Sequence, residues 1–110
     1  MKISDVWILI AEKASANKSY IEGMNISYGI ELSGEEANEY TLNFSDGDFE
    51  ISEGINSEVD CKLELSDKNF KKLVNGKLNT TSAFMMGKLK VKGNIGLALK
   101  LEKLLKMYFN

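Results

Sequence analysis

The chain has 110 residues, 44% of them apolar and 27% charged, with one cysteine and no histidine, a balance that fits a single folded domain over residues 1–110 and excludes a disordered chain. Residues 1–66 carry 4 lysines against 14 acids and residues 67–110 carry 10 lysines against 2 acids, which sums to the net −2. The absence of arginine argues against nucleic acid as a partner, and the absence of histidine excludes Ser-His-Asp, Cys-His and ordinary zinc or haem sites, so no catalytic residue, metal or cofactor is expected.

Taken in chain order, Ser4 is placed to cap a helix in which Ile3, Val6, Trp7, Ile10 and Ala14 recur at helical spacing. Ile8 and Leu9 fall off that stripe. The pattern weakens through Tyr20, Ile21 and Met24, so a further turn or a bent helix is expected to end near Gly23. Trp7 on an apolar stripe reads either as core or as a ligand wall, with core the simpler reading.

From Ile26 the period changes to two. Ile26, Tyr28, Ile30 and Leu32 share one face of a strand, and Tyr40, Leu42 and Phe44 one face of the next. Between them Ser33 to Asn38 forms an acidic loop, where Glu35 and Glu36 read as solvated. Asp46-Gly47 predicts a tight type I′ hairpin turn. Phe49 and Ile51 continue on the returning strand, a turn is expected over residues 54–57, and Val59, Cys61, Leu63 and Leu65 alternate with polar residues. Four such strands joined by short turns predict an antiparallel sheet with helices over a single face, an α+β fold.

The remaining stretches supply the helices. Ser66 caps one in which Phe70, Leu73 and Val74 face one way, ending at Asn75-Gly76. Asn79 or Thr80 begins a short helix through Met86. Leu89 and Val91 form a fifth strand with Lys88, Lys90 and Lys92 on its wet side, and Asn94 caps the last helix. There Leu97, Leu101, Leu104, Leu105 and Tyr108 make one stripe with Ala98 on its margin. Ile95 and Leu99 point to the other side, with Glu102 and Lys106, so each needs a further apolar neighbour or is exposed. A ligand, a membrane or the Phe84 to Met86 turn would each serve. No stretch approaches the roughly 20 apolar residues of a membrane span, and no signal peptide is evident.

Residues 60–101 also carry a family resemblance. Asp60-Cys61-x-Leu63-x-Leu65-Ser66-Asp67, Phe70-x-x-Leu73-x-x-Gly76-Lys77-Leu78-Asn79, Ser82-Ala83-Phe84-x-x-Gly87-Lys88-Leu89 and Gly93-Asn94-x-Gly96-Leu97-Ala98-x-Lys100-Leu101 follow one another in this order. Together they resemble the C-terminal signature of the sterol carrier protein 2 (SCP-2) family, small lipid-binding and lipid-transfer domains. Over the first half of the chain only the order of elements matches.

The resemblance implies a five-stranded, mostly antiparallel sheet covered on one face by helices and enclosing an apolar tunnel. It also implies non-catalytic intracellular binding or transfer of a fatty acid, acyl-CoA or sterol-like ligand. The matching family segments wall the tunnel, and the expected ligand-binding set is Phe70, Leu73, Phe84, Met85, Met86, Leu89, Val91, Ile95, Leu99 and Leu105. Met86 stands where the family often has glutamine, which removes a polar handle for a buried hydroxyl such as a sterol's. An empty tunnel of about 300 Å³ would cost on the order of 7 kcal/mol, so it is expected to be filled or partly collapsed. The lysines of the second half suit an anionic headgroup or transient contact with an anionic membrane surface. The chain ends Met107-Tyr108-Phe109-Asn110 rather than in a Ser-Lys-Leu peroxisomal tail, so a cytoplasmic, stand-alone protein, monomeric or weakly dimeric, is expected. The alternative function is an accessory module that docks a partner protein through the same apolar groove.

Overall fold

A computed structural model describes residues 1–55 and 58–109. Helix α1 (Ile3–Ala16) and a 3₁₀ turn (Lys18–Tyr20) precede β1 (Asn25–Ser33), β2 (Asn38–Ser45), β3 (Asp48–Glu53) and β4 (Cys61–Ser66). Then come α2 (Asp67–Val74), α3 (Thr80–Met85), β5 (Leu89–Gly93) and α4 (Ile95–Phe109). The strands form one sheet in the order β3-β2-β1-β4-β5, with three antiparallel pairings and one parallel pairing, β1 with β4.

That parallel pair corrects the expectation of four strands in consecutive antiparallel order. Strand alternation reports which face is buried, and it leaves open which strand lies alongside. The register explains how a short connection suffices. Glu53 pairs with Tyr40, and Tyr40 with Ile30, while Cys61 pairs with Tyr28, so β4 begins only two residue levels back from the end of β3. The described ends of the connection cross the face opposite the helices, where a Cβ on Gly29 would meet Ile55 Cγ2 at 2.9 Å and Val59 Cγ2 at 3.3 Å. The absence of a side chain at Gly29 makes room for this crossing on the central strand. Val59 lies before β4 rather than in it, and the turn read over residues 54–57 lies partly outside the described residues.

The two sheet faces are as unlike as the alternation predicts. Tyr28, Ile30, Leu42, Phe44, Cys61, Leu63 and Leu89 are buried on the helix side. On the other side Lys62 pairs with Glu31 at 3.1 Å and Lys92 with Glu64 at 3.4 Å, across neighbouring strands. The β2–β3 turn has the positive φ of a type I′ hairpin at both Asp46 (46°) and Gly47 (89°). Ser66 accepts from the Asn69 N–H at 3.0 Å and Asn79 from the Ser82 N–H at 2.9 Å, which sets the starts of α2 and α3.

Helix α1 buries Ile3, Val6, Trp7, Ile10 and Ala14, the predicted stripe, and leaves Ile8 exposed. Its cap differs from expectation. Lys2 is the cap residue, its N–H donating to Asp5 Oδ2 at 3.0 Å, so Ser4 lies inside the helix. The helix also ends at Ala16, and Ile21 and Met24 reach the core from the 3₁₀ turn and the segment after it.

A carboxylate network ties α1 to α2 through the β1–β2 loop. Glu36 Oε1 accepts from the Ile3 N–H at 2.8 Å and its Oε2 lies 2.7 Å from Lys71 Nζ, so Glu36 is not the solvated loop acid expected of it. Buried Asp67 accepts from the Glu36 N–H at 2.9 Å and the Lys68 N–H at 2.7 Å. The Lys71 ammonium and the Ile3 amide hold the Glu36 carboxyl below its ordinary range, and the Glu36 and Lys68 amides do the same for Asp67. Groups with depressed folded pKa values stabilise the fold above their unfolded pKa, and this is lost as pH falls through the folded value. The melting temperature should therefore fall on acidification from about pH 5 to about pH 3. The fall should be shallower in an E36Q/D67N chain, and equal slopes in a pair of thermal melting series would sever the network from folding.

Candidate functional site

The site is organised by α4, which covers the apolar face of the sheet together with α1 and α2. Asn94 Oδ1 accepts from the Gly96 N–H at 2.7 Å and opens the helix as expected. Ala98, Leu101, Leu104 and Leu105 are buried, and Leu97 and Tyr108 half-buried, along the predicted stripe. Two tyrosine hydroxyls tie the helix down. Tyr28, buried in β1, donates to the Leu97 carbonyl at 2.7 Å, and Tyr108 donates to the Asn17 carbonyl just past α1, also at 2.7 Å. Burial pushes both hydroxyl pKa values up, which keeps each a neutral donor. At the same end the Tyr20 and Tyr108 rings meet edge-on at 5.2 Å, and Lys13 Nζ sits 5.2 Å from the centre of the Phe109 ring.

Beneath α4 is a small apolar hollow. It is bounded by Trp7 and Ile10 of α1, Leu42 and Phe44 of β2, Phe49 of β3, Phe70 of α2, and Leu101, Leu104, Leu105 and Tyr108 of α4. Its free volume is about 10 Å³, the room of about one water molecule. The surface it exposes is apolar, although Trp7, one of its wall residues, has a buried indole N–H with no hydrogen-bond partner among the described residues. Trp7 packs against both Tyr40 and Phe70, with ring centres 5.0 and 4.9 Å away, which fixes its indole at the wall.

The ten residues read from the sequence fall into three environments. Phe70 and Leu105 line the hollow. Leu73 and Leu89 are buried in the surrounding core, with Val91 half-buried against it. Phe84, Met85 and Met86 are 42%, 79% and 66% exposed at the end of α3, and Ile95 and Leu99 are 36% and 41% exposed on the outer side of α4. The hollow's remaining walls come from Leu101, Leu104 and Tyr108 of α4 and from α1, β2 and β3, the last three far along the chain from the motif-bearing half. The stripe through Val6, Trp7 and Ile10 is the signal in the sequence that leads to them.

Glu102 is the residue whose surroundings differ most from expectation. Read as sharing an outer side with Ile95 and Leu99, it is buried, its Oε1 accepting from the Thr80 N–H at 2.8 Å and its Oε2 pairing with Lys106 Nζ at 3.0 Å. Burial pushes its pKa up, but hydrogen bonds from Thr80 and Lys106 outweigh that and hold it lowered. The carboxylate thus satisfies an orphan amide in the first turn of α3 and joins that helix to α4.

With this geometry established, the chain can be compared with known proteins. The SCP-2 sterol transfer family matches residues 9–106. Hydroxysteroid dehydrogenase-like protein 2 of Rattus norvegicus is 38% identical over 94 residues, 84% of this chain but only 18% of that protein. The chain therefore spans about a fifth of that curated relative's length. Among solved structures, apo sterol carrier protein 2 from Yarrowia lipolytica superposes with a TM-score of 0.78 at 29% identity, covering 96% of this chain and 90% of that one. Palmitated SCP2L2 from Aedes aegypti shares the fold, with a TM-score of 0.76 at 13% identity over 96% of this chain and 95% of that one.

Removing the Glu102 carboxylate leaves the buried Thr80 amide without an acceptor. E102A should lower the unfolding free energy by about 2 kcal/mol, and E102Q, which keeps an acceptor oxygen, by less. Urea melts of the three chains measure this, and equal losses in both variants would mean that the Thr80 contact adds nothing.

Proposed function

The chain belongs to the SCP-2 sterol transfer family, and on that premise we propose that it is a non-catalytic lipid carrier. It takes a fatty acyl chain, free or as a coenzyme A thioester, into the space beneath α4. The observation that carries this reading is the apolar hollow between α4, α1 and the sheet. The surface of its lining is apolar and methionine stands at Met86, which favours an unbranched acyl tail, with the buried and unpartnered Trp7 indole N–H a hydrogen-bond donor left at that wall. Phe70 and Leu105 contact the tail, Leu73, Leu89 and Val91 back the expanding core, and the exposed Phe84–Met86, Ile95 and Leu99 lie around its rim. A cytoplasmic place of action belongs to the same proposal and rests on the single cysteine, buried Cys61, which suits a reducing compartment.

The closed state has a thermodynamic reason. Opening the hollow from about 10 Å³ to the roughly 300 Å³ of a small ligand site costs on the order of 7 kcal/mol at roughly 24 cal/mol per Å³ while it stays empty. A domain has only about 5 to 15 kcal/mol of stability in total. The free protein therefore stays collapsed, and a ligand has to bring enough apolar surface to offset the opening. At about 0.8 kcal/mol per buried methylene, about nine methylenes reach the break-even point.

A second reading has its own support. The contiguous exposed apolar residues Phe84, Met85 and Met86 would suit a docking surface, and the rat relative is a much longer protein of which this region is a small part. On that reading the domain is an accessory module, and M85E/M86E would abolish association with a partner protein while leaving lipid uptake intact.

For the carrier reading, Trp7 is a built-in reporter, since its indole forms part of the hollow's wall. In a titration with saturated fatty acids, octanoate should leave Trp7 fluorescence unchanged. Beyond about ten carbons affinity should climb by roughly fourfold per added methylene. A response independent of chain length, or none with any acid, would contradict the carrier reading.

A further inference from the structure

A second apolar space lies on the outer side of α4, separate from the hollow but sharing a wall with it. It is an open groove of about 430 Å³ between the 3₁₀ turn and α4, within the roughly 300 to 1,000 Å³ range of small-molecule sites. Its apolar lining is Tyr20, Met24, Leu99, Leu104 and Met107. The charged groups on it are Lys100 and Lys103, one turn apart on α4, and no carboxylate shares the lining. Neither lysine has an ion-pair partner among the described residues, unlike Lys62, Lys71, Lys92 and Lys106. Tyr20, Leu99 and Met107 are each about 40% exposed, so apolar surface and positive charge are presented together.

Leu104 borders both spaces, and Tyr108 of the hollow meets Tyr20 of the groove edge-on. The Tyr108–Asn17 hydrogen bond lies at this same end of α4. We propose that the groove is the entry and headgroup site for a long-chain carboxylate. The carboxylate rests between Lys100 and Lys103, and the tail passes Leu104 into the hollow when the Tyr108–Asn17 contact opens. This rests on the carrier reading and adds to it a ligand charge, a portal and a latch. Charge complementarity selects a fatty acid over an uncharged lipid of the same length, because Lys100 and Lys103 are the charged residues among those described that line the groove, and a carboxylate is what two clustered ammonium groups attract.

The experiment compares myristate with myristyl alcohol, each delivered as free monomer and followed through Trp7 fluorescence in wild type, K100E/K103E and Y108F. Charge reversal should weaken myristate binding by roughly fivefold or more at low salt, less at high salt, and leave the alcohol within about twofold of wild type. Y108F keeps the ring and removes the bond to Asn17. It should speed association of both ligands by roughly threefold. Equal loss for acid and alcohol, or no loss for either, would overturn the headgroup assignment. A loss seen only when myristate is delivered from anionic vesicles would also overturn it and assign the lysines to the membrane surface. Unchanged association in Y108F would remove the latch. If wild type binds neither ligand, the carrier reading itself falls, a result distinct from each of these.

Discussion

A sheet with one charged face and one apolar face requires a cover, and in this chain α1, α2 and α4 share that role. The outer face is laced by Lys62–Glu31 and Lys92–Glu64 and is crossed at Gly29 by Ile55 and Val59, so it needs no helix over it. The inner face carries Tyr28, Ile30, Leu42, Phe44 and Leu63, and burying each such side chain is worth about 1.5 to 3 kcal/mol. Helix α4 meets that face with a leucine stripe, while the Tyr28 hydroxyl of β1 donates to its Leu97 carbonyl and its own Tyr108 hydroxyl donates to the Asn17 carbonyl. Pinning at separated points, rather than tight packing along the whole length, leaves the small space between α4, α1 and the sheet.

This arrangement makes the cover both stable and separable. The hollow is too small to hold a ligand while closed, and too expensive to hold open while empty. On the carrier reading proposed above, binding and opening are one event, with the closed state as its reference. The fastening at the Tyr108 end involves one hydrogen bond and one edge-on ring contact at a half-exposed position, whereas at the other end the Tyr28 side chain is fully buried. Motion should start where the desolvated contacts are fewest, which is the C-terminal half of α4.

Much of the fold was legible in the sequence because its signals are local. The alternation at Tyr28, Ile30 and Leu32, the Asp46-Gly47 turn, the Ser66 and Asn79 caps and the stripe from Leu97 to Tyr108 depend on neighbours within a few residues. What was not legible depends on partners far along the chain. Nothing near Cys61 says that its strand lies beside β1 rather than β3, because alternation specifies a face and not a neighbour. Lys2 caps α1 through its backbone amide and Asp5, so its side-chain type gives no cue. Glu102 lies 22 residues from the Thr80 amide that it satisfies, and a lone acid beside exposed Ile95 and Leu99 on a helical wheel reads as solvated. The lining of the hollow was legible in part. The motif-bearing half supplies Phe70 and Leu105, while the opposite walls come from α1, β2 and β3, which carry only the hydrophobic pattern of ordinary core.

The central claim is that an acyl chain and the collapsed hollow exchange for one another beneath α4. A crystal structure of the chain saturated with palmitate tests it most directly. The account predicts continuous tail density between Trp7, Phe44, Phe70 and Leu105, with the C-terminal half of α4 displaced outward and the hollow enlarged to roughly 300 Å³ or more. Palmitate found only on the outer surface, over a core still closed around the same small void, would contradict it.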